Sequence, residues 1–131
     1  MHIIGILIVV MAVIAGWEVF WYFMGVKPLF PWQLKGNLDR MRRETVLVDV
    51  RTRPEYNLLH IQGVSHRPDL VTDPDAYRPG NPEKPVVVIC MTGHRSPVVA
   101  YRLKKRGIEE VYNLTWGMVG WKLVGGRTEG G

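Results

Sequence analysis

The pattern of apolar and polar positions divides the chain into one long apolar run and several short ones. Residues 3–26 form the long run, and Glu18 is its only charged side chain. As a helix this run would measure about 36 Å, which is enough to cross the hydrocarbon core of a bilayer with some tilt. Tryptophan and tyrosine residues cluster between positions 17 and 22, as aromatic residues do at membrane interfaces. The pattern therefore predicts a transmembrane helix over residues 1–26.

The short apolar runs alternate with polar segments rich in glycine and proline, which predicts alternating strands and helices. Strands are predicted at residues 46–50, 63–65, 86–89 and 111–114. Helices are predicted at residues 38–43, from Thr52 to before His60, at 97–106, and from a Thr115 cap to about Leu123. The predictions for the other segments are a connector at 27–37, an irregular surface segment at 67–85 with one helical turn at Asp73, and a flexible tail at 126–131.

The most informative unit is the run Val86–Ile89 with the loop Cys90–Arg95 after it. Four consecutive apolar residues are typical of a buried strand in a parallel sheet. Ser96 is suited to the N-cap of the next helix, and Pro97 to its first position. In open α/β sheets ligands bind at the carboxyl ends of the strands. The only cysteine of the chain stands at such an end.

The composition of this loop favours an anion site. If the loop closes into a cradle, its backbone N–H groups point inward and the helix N-terminus adds partial positive charge. Gly93 permits the tight backbone course, and Arg95 places a guanidinium at the lip. Neighbouring cations and a helix N-terminus favour the thiolate form of a cysteine, so we expect Cys90 to be a nucleophile that faces an anionic substrate. The alternative is a small apolar cysteine at the end of a core strand.

Cys-x4-Arg-Ser after a Val/Ile strand resembles the active loop of the rhodanese domain, a sulfurtransferase fold. Three further stretches are similar to that family in the same order. They are Val46–Arg51 with its Asp-Val-Arg ending, Glu55–Val64 with Glu-Tyr and His-Ile-x-Gly, and Gly107–Trp121. The resemblance covers about residues 38–125. It implies an α/β, rhodanese-like three-layer fold, in which helices flank a mainly parallel central sheet and one transmembrane helix precedes the domain.

The resemblance also implies an activity. Cys90 would take a sulfane sulfur from a small anionic donor and hold it as a persulfide until a thiol or cyanide accepts it, with no cofactor. Cys90 and Arg95 are the candidate catalytic residues. The candidate substrate-binding residues lie in the same loop or end the neighbouring strand: Met91, Thr92, Gly93, His94, Ser96, Asp49 and Arg51. For Asp49 and Arg51 a structural ion pair is an equal alternative.

Two other functions stay open at this stage. Protein tyrosine phosphatases use Cys-x5-Arg, with one residue more, so phosphatase or arsenate-reductase chemistry is the less favoured enzyme. Rhodanese folds also serve as non-catalytic binding or regulatory modules, here at the membrane. Three positions depart from the family pattern. Leu59 and Trp116 stand where glycine is common, and Met91 stands where thiosulfate-using members often carry a basic residue.

Alternatives to an anchor at the N-terminus are a cleaved signal peptide and a buried core helix. A signal peptide would have a basic n-region and a small-residue cleavage site, and neither is present. Basic residues follow the run but do not precede it: Lys27, Lys35, Arg40, Arg42 and Arg43. The positive-inside tendency then predicts a single-pass protein whose catalytic domain is cytoplasmic, with the lipid bilayer as a partner.

The net charge of +5 fits a solvated surface near a membrane. Nucleic-acid binding would need a clustered basic stripe or a known motif, and neither occurs, so we expect no nucleic-acid partner. The histidines, cysteine and carboxylates do not have metal-ligand spacing, and one cysteine cannot build a thiolate zinc site, so no metal is expected. The sequence does not identify a protein partner.

Overall fold

The computed structural model describes residues 2–78, 80–81 and 83–130. These residues form five strands: β1 (Val26–Leu29), β2 (Val46–Asp49), β3 (Ser65–His66), β4 (Val86–Ile89) and β5 (Val111–Leu114). They also form six α-helices: α1 (His2–Phe23), α2 (Pro31–Gly36), α3 (Leu38–Glu44), α4 (Arg53–Leu58), α5 (Ser96–Lys105) and α6 (Gly117–Leu123). Short 3₁₀ turns at Pro68–Val71 and Pro74–Ala76 lie in the segment expected to be irregular. Residue 1 of the predicted span, residues 79 and 82, and residue 131 of the predicted tail lie outside the described residues.

The five strands make one sheet in the order β1-β5-β4-β2-β3, and every neighbouring pair is parallel. Strand β4 lies at the centre, where Val88 pairs with Val48 of β2 and Asn113 of β5. All strands therefore end at one edge of the sheet. We call it the catalytic edge because the candidate catalytic loop, Cys90–Arg95, follows β4 there, and we call this loop the catalytic loop. The predicted α/β class with a parallel central sheet and flanking helices is confirmed.

Apolar side chains cover both faces of the sheet. Along β4, Val86 and Val88 join a core cluster with residues of α5, whereas Val87 and Ile89 join a second cluster with residues of α2 and α6. All four side chains are fully buried. Burial of one such side chain stabilises the fold by about 1.5–3 kcal/mol. A central strand that is apolar at every position thus requires helices on both faces, which gives the three layers.

Helix α1 packs on the domain only through its C-terminal part. None of its residues is buried, and residues 2–16 are all exposed. Trp17, Glu18 and Trp21 are partly buried at helical spacing, which turns the one carboxylate of the helix toward the domain. The mean hydropathy of α1 reaches 2.6. Length and composition are compatible with a membrane anchor, although a signal sequence has the same features.

The structure corrects the expected connector at 27–37. Strand β1 pairs along its whole length with β5, from Val26 opposite Val111 to Leu29 opposite Leu114, and Leu34 of α2 is fully buried. The sequence pattern hides this strand because it is short and contains a lysine and a proline. Proline is tolerated in an edge strand, where one side of the backbone needs no hydrogen-bond partner.

The described residues of the expected flexible tail, 126–130, make specific contacts with the domain. His60 and Glu129 exchange two backbone hydrogen bonds of 2.8 Å each. The indole N–H of the fully buried Trp121 donates to the carbonyl of Arg127 at 2.9 Å. The described tail residues therefore close over α6 and the turn after α4.

Helix α6 begins differently from the prediction that Thr115 caps it. The N-cap position is occupied by Trp116 in a left-handed conformation with φ +61°, and Gly117 follows with φ +56°. Two successive left-handed residues turn the chain sharply, so that the backbone of Gly117 packs against the carbonyl groups of Cys90 and Met91. This contact joins α6 to the catalytic loop, and the N–H of Met118 donates to the Cys90 carbonyl at 2.9 Å.

We predict that Gly117→Ala destabilises the protein. An added methyl group would lie 2.7 Å from the carbonyl carbon of Met91, and the left-handed backbone adds strain. The loss in unfolding free energy should be about 2–4 kcal/mol, measured by denaturant unfolding of the full chain in detergent. Gly36→Ala is the matched control, since an added methyl group meets nothing within 4 Å there. Equal stabilities of the two variants would contradict this account of the α6 start.

Candidate active site

Cys90 lies directly after β4, and its side chain is 1% exposed. The backbone N–H of Gly93 donates to its sulfur at 3.0 Å, and the Ser96 hydroxyl lies 3.3 Å from the same atom. Among the described residues, Gly93 supplies the backbone donor to Sγ. The loop thus brings together a sulfur, an amide donor and a hydroxyl, which can stabilise negative charge on the sulfur.

Gly93 gives the loop its shape. It has φ +85°, and a side chain there would place a Cβ only 2.8 Å from the backbone nitrogen of Trp116. Glycine is therefore required both for the left-handed conformation and for the close approach of the α6 start. The left-handed turn at Gly93 packs against the left-handed turn at the start of α6, and this packing fixes the direction of the Gly93 N–H. Since that N–H donates to the sulfur, the two turns determine the geometry of the site.

Ser96 has a different role from the predicted N-cap. Helix α5 begins at Ser96, with Arg95 in the N-cap position and no side-chain cap. The Ser96 hydroxyl donates to the side-chain carbonyl of Asn113, whose amide nitrogen lies 3.4 Å from the Gly93 carbonyl. A hydroxyl carries one proton, so Ser96 can direct it either to Asn113 or to the Cys90 sulfur.

Asn113 is the residue that the sequence analysis missed. It is 2% exposed in β5, next to β4. Its bonds to Ser96 and Gly93 connect two groups that contact the sulfur. A polar residue inside the otherwise apolar run Val111–Leu114 is the signal that could have identified it, because buried polar groups need partners.

Arg95 lies half-exposed at the lip of the loop, and its guanidinium is 3.5 Å from the carboxylate of Glu55 in α4. Partial burial alone would raise the pKa of Glu55. Hydrogen bonds from the hydroxyl and N–H of Thr52 and the Arg95 guanidinium outweigh it and lower the pKa below its usual value. The bond from the Thr52 N–H to the Glu55 carboxylate is part of a capping box at the start of α4, which confirms the predicted helix start. Helix α4 thereby holds the partner of Arg95.

The remaining loop residues point to other places. Thr92 and His94 are exposed, and the Thr92 hydroxyl lies 2.8 Å from the His94 ring nitrogen Nδ1. The His94 ring also contacts Trp17 of α1, with 6.2 Å between the ring centroids. Met91 lies on the opposite face of the sheet and lines an open apolar groove of about 360 Å³ between α4 and α6.

Asp49 and Arg51 form the structural ion pair that the sequence analysis held as the alternative. Both side chains are fully buried, and the guanidinium lies 2.9 Å from the carboxylate. The other guanidinium N–H groups donate to the carbonyls of Glu55 and Leu59 at 3.2 Å and 2.7 Å. Their charges are therefore used within the fold, where they fix α4 and the turn after it. This arrangement favours the structural alternative over the substrate-binding assignment.

The family model described as "Rhodanese-like domain" matches residues 33–123. That match covers more than half of the chain, and it includes β2, β4, the catalytic loop and α6. The chain belongs to the rhodanese-like domain family. The α/β fold and the loop geometry agree with this family, because the candidate site lies at the carboxyl end of a strand in a parallel sheet.

Several curated relatives are named for one activity. The thiosulfate sulfurtransferase GlpE of Pseudomonas fluorescens is 36% identical over 79 residues, which are 60% of this chain and 72% of that protein. The protein of the same name from Coxiella burnetii is 35% identical over 81 residues, 62% of this chain and 75% of that one. Among solved structures, a rhodanese-like domain protein from Staphylococcus aureus has 28% identity and a TM-score of 0.68, with coverage of 81% and 99%. These similarities support a sulfurtransferase of the rhodanese type.

We predict that Arg51→Met destabilises the protein by about 3–5 kcal/mol, because it leaves the Asp49 carboxylate buried without its partner. The control is Arg53→Met, an exposed arginine of α4, which should change stability by less than about 0.5 kcal/mol. Urea unfolding of both full-length variants in detergent measures the difference. A neutral effect of Arg51→Met would show that the pair does not support the fold.

We also predict that Glu55→Gln makes the free energy of unfolding less dependent on pH in the acid range. The pKa of Glu55 is lowered in the folded state, so the ionised group stabilises the fold above its ordinary pKa of 4.5, and this contribution is lost as the pH falls below it. Glutamine keeps a cap acceptor without the charge. The difference in unfolding free energy between the wild-type protein and Glu55→Gln should stay below about 1 kcal/mol and shrink toward pH 3. Glu109→Gln, an exposed carboxylate remote from the loop, is the control, and a difference that grows in acid would contradict the prediction.

Proposed function

We propose that this chain is a membrane-anchored sulfurtransferase that carries a sulfane sulfur as a persulfide on Cys90. The observation that carries the proposal is the environment of the Cys90 sulfur, with the Gly93 N–H at 3.0 Å and the Ser96 hydroxyl at 3.3 Å. Family membership and the names of the GlpE relatives support the same chemistry. The Gly93 N–H favours negative charge on the sulfur, and the Ser96 hydroxyl does so when it turns its proton from Asn113 to the sulfur. The reaction needs this charge before and after each transfer.

The first transfer loads the enzyme. The Cys90 thiolate attacks the outer sulfur of a donor such as thiosulfate, and a new S–S bond forms on Sγ. The S–S bond of the donor breaks, and sulfite leaves with the electron pair. Arg95 stands at the lip of the loop, where its guanidinium can bind the anionic oxygens of the donor. Its distance of 3.5 Å from Glu55 describes an ion pair that can open for this purpose.

The second transfer unloads the enzyme. An outside thiolate attacks the terminal sulfur of the persulfide, takes that sulfur, and leaves Cys90 as a thiolate, while cyanide would give thiocyanate in the same way. Ser96 can turn its hydroxyl proton from Asn113 to the sulfur at this stage, because both acceptors are within its reach. The chain itself has one cysteine, so the accepting thiol comes from another molecule.

Access to Cys90 requires movement of the loop. The sulfur is buried, whereas Thr92, His94 and Arg95 above it are exposed. The exposed residues above the sulfur can move locally at low cost, whereas Gly93 and the β4 strand stay packed. Met91 stands where related enzymes often carry a basic residue, and here it is apolar and faces the groove. We therefore assign binding of the anionic donor to Arg95.

The membrane anchor is part of the same proposal. Helix α1 spans about 33 Å over its 22 residues and is exposed along its first fifteen, as expected for a segment that contacts lipid. The positive charges that follow α1 favour a cytoplasmic domain. A non-catalytic binding module at the membrane is the second candidate, and the 1% exposure of Cys90 is the observation that favours it.

We predict that the full chain in detergent gains the mass of one sulfur atom on incubation with thiosulfate, and that added thiol or cyanide removes it. Intact-protein mass spectrometry measures both steps. Cys90→Ser should show no gain, since no other thiol is present. No adduct with thiosulfate or with an organic persulfide would overturn the enzyme in favour of the binding module. Turnover of an aryl phosphate would favour the phosphatase instead.

We predict further that Arg95→Gln raises the thiosulfate KM by about 10- to 100-fold, which corresponds to one lost charged hydrogen bond of about 1.5–3 kcal/mol. The control is Arg102→Gln, an exposed arginine of α5 away from the loop. Steady-state kinetics with cyanide as acceptor measure both variants. An unchanged KM in Arg95→Gln would remove Arg95 from donor binding.

A further inference from the structure

The contacts of α1 set its direction relative to the catalytic loop. Gly25, just after α1, packs against the Lys104 side chain near the end of α5. Trp21 contacts Tyr101, one turn earlier in α5, with 5.9 Å between ring centroids. Trp17 contacts His94 in the loop before α5, at 6.2 Å. Helix α1 therefore runs antiparallel to α5, and its N-terminal half extends past the catalytic edge.

Residues 2–16 continue α1 beyond that edge as an exposed helix. Fifteen residues at 1.5 Å each give a projection of about 22 Å. The hydrocarbon core of a bilayer is about 30 Å thick, so this projection alone is too short to cross it. To complete the span, the part of α1 that lies beside the domain must also enter the membrane. The catalytic edge is then drawn into the interfacial layer.

The catalytic edge carries the exposed apolar side chains that such a position requires. We define the apolar rim as Leu58, Val119 and Leu123, which line the groove beside Met91, together with Trp116 at the start of α6; these four side chains are 45–77% exposed. Trp116 contributes its side chain from a left-handed backbone, which is strained for a residue other than glycine. An indole kept exposed on a strained backbone is suited to a membrane interface, where tryptophan is enriched.

The charges near the apolar rim also fit a lipid surface. Glu55 is paired with Arg95, and the buried Arg51 is paired with Asp49. Lys122 lies between the rim residues in α6 and is exposed. A lysine among apolar side chains extends its ammonium group to anionic headgroups while its stem stays in the apolar layer.

We propose that the apolar rim rests on the same membrane surface into which α1 inserts, so that the Cys90 loop works within the headgroup layer. This inference depends on the proposed membrane anchor and adds the face by which the domain docks. It commits to lipid as the occupant of the groove, because the direction and length of α1 bring lipid to this edge. Sulfur donor and acceptor must then reach Cys90 along the membrane surface.

The test uses single nitroxide labels on the full chain with Cys90→Ser, reconstituted in nanodiscs that contain anionic lipid. Labels at Leu58→Cys and Val119→Cys report on the apolar rim, and Val9→Cys reports on the span. Glu109→Cys is the control, because this exposed residue precedes β5 at the opposite edge of the sheet. Collision rates with oxygen, which enters lipid, and with a water-soluble nickel chelate are measured at each site by electron paramagnetic resonance.

We expect the labels at positions 9, 58 and 119 to collide more with oxygen than with the nickel chelate, and the label at 109 to do the opposite. Water exposure at 58 and 119 with lipid exposure at 9 would overturn the docking and leave the anchor intact. Water exposure at 9 would overturn the anchor and the docking together. Dipolar broadening between labels at 119 would mean that a second copy covers the groove, which also contradicts the proposal. Leu123→Cys replaces either rim variant if that variant fails to fold.

Discussion

The structure depends on a close approach of two backbones at the catalytic edge. The loop after β4 and the start of α6 meet where Gly93 contacts the backbone of Trp116 and Gly117 contacts the backbone of Cys90. Neither approach leaves room for a side chain, and both glycines have positive φ. This packing turns the Gly93 N–H to the Cys90 sulfur. The chemistry of the site therefore rests on main-chain packing more than on charged side chains.

The polar groups around the loop support this packing at different depths. Asn113 lies in the core and connects Ser96 with Gly93 beneath the sulfur. Arg51 and Asp49 hold α4 from inside, and α4 in turn holds Glu55 opposite Arg95 at the surface. A rigid floor with an exposed upper loop suits a site that must keep a charged sulfur in place and still admit a donor. It also places the exposed side of the loop next to α1.

Much of this arrangement could be predicted from the sequence, since the signals were local. The apolar run of β4, the glycine and arginine of the loop and the proline of α5 specified a strand, a loop and a helix in order. Strand β1 was missed because its partner β5 begins at residue 111, far along the chain, and its own four residues have no strand pattern. The role of Ser96 was wrong because its hydroxyl bonds to Asn113, a contact between distant residues. The buried pairing of Asp49 with Arg51 depends in the same way on how α4 folds back over β2.

The orientation of α1 likewise depends on contacts between residues that are distant in sequence. Hydropathy identifies a segment able to cross a membrane, but it does not say which edge of the domain the segment extends past. That information comes from three contacts along α5 and its preceding loop, at Lys104, Tyr101 and His94. They relate the apolar helix α1 to the catalytic edge, so that the proposed location and the proposed chemistry depend on the same contacts.

The central claim is that the Gly93 N–H binds the charged sulfur on Cys90. The most direct measurement is the amide spectrum of the ¹⁵N-labelled full chain in detergent, recorded before and after persulfide formation is established by mass. The account predicts that the Gly93 resonance moves more than those of the other loop amides, and that it returns when a thiol removes the sulfur. A Gly93 resonance that does not move while the persulfide forms would contradict it.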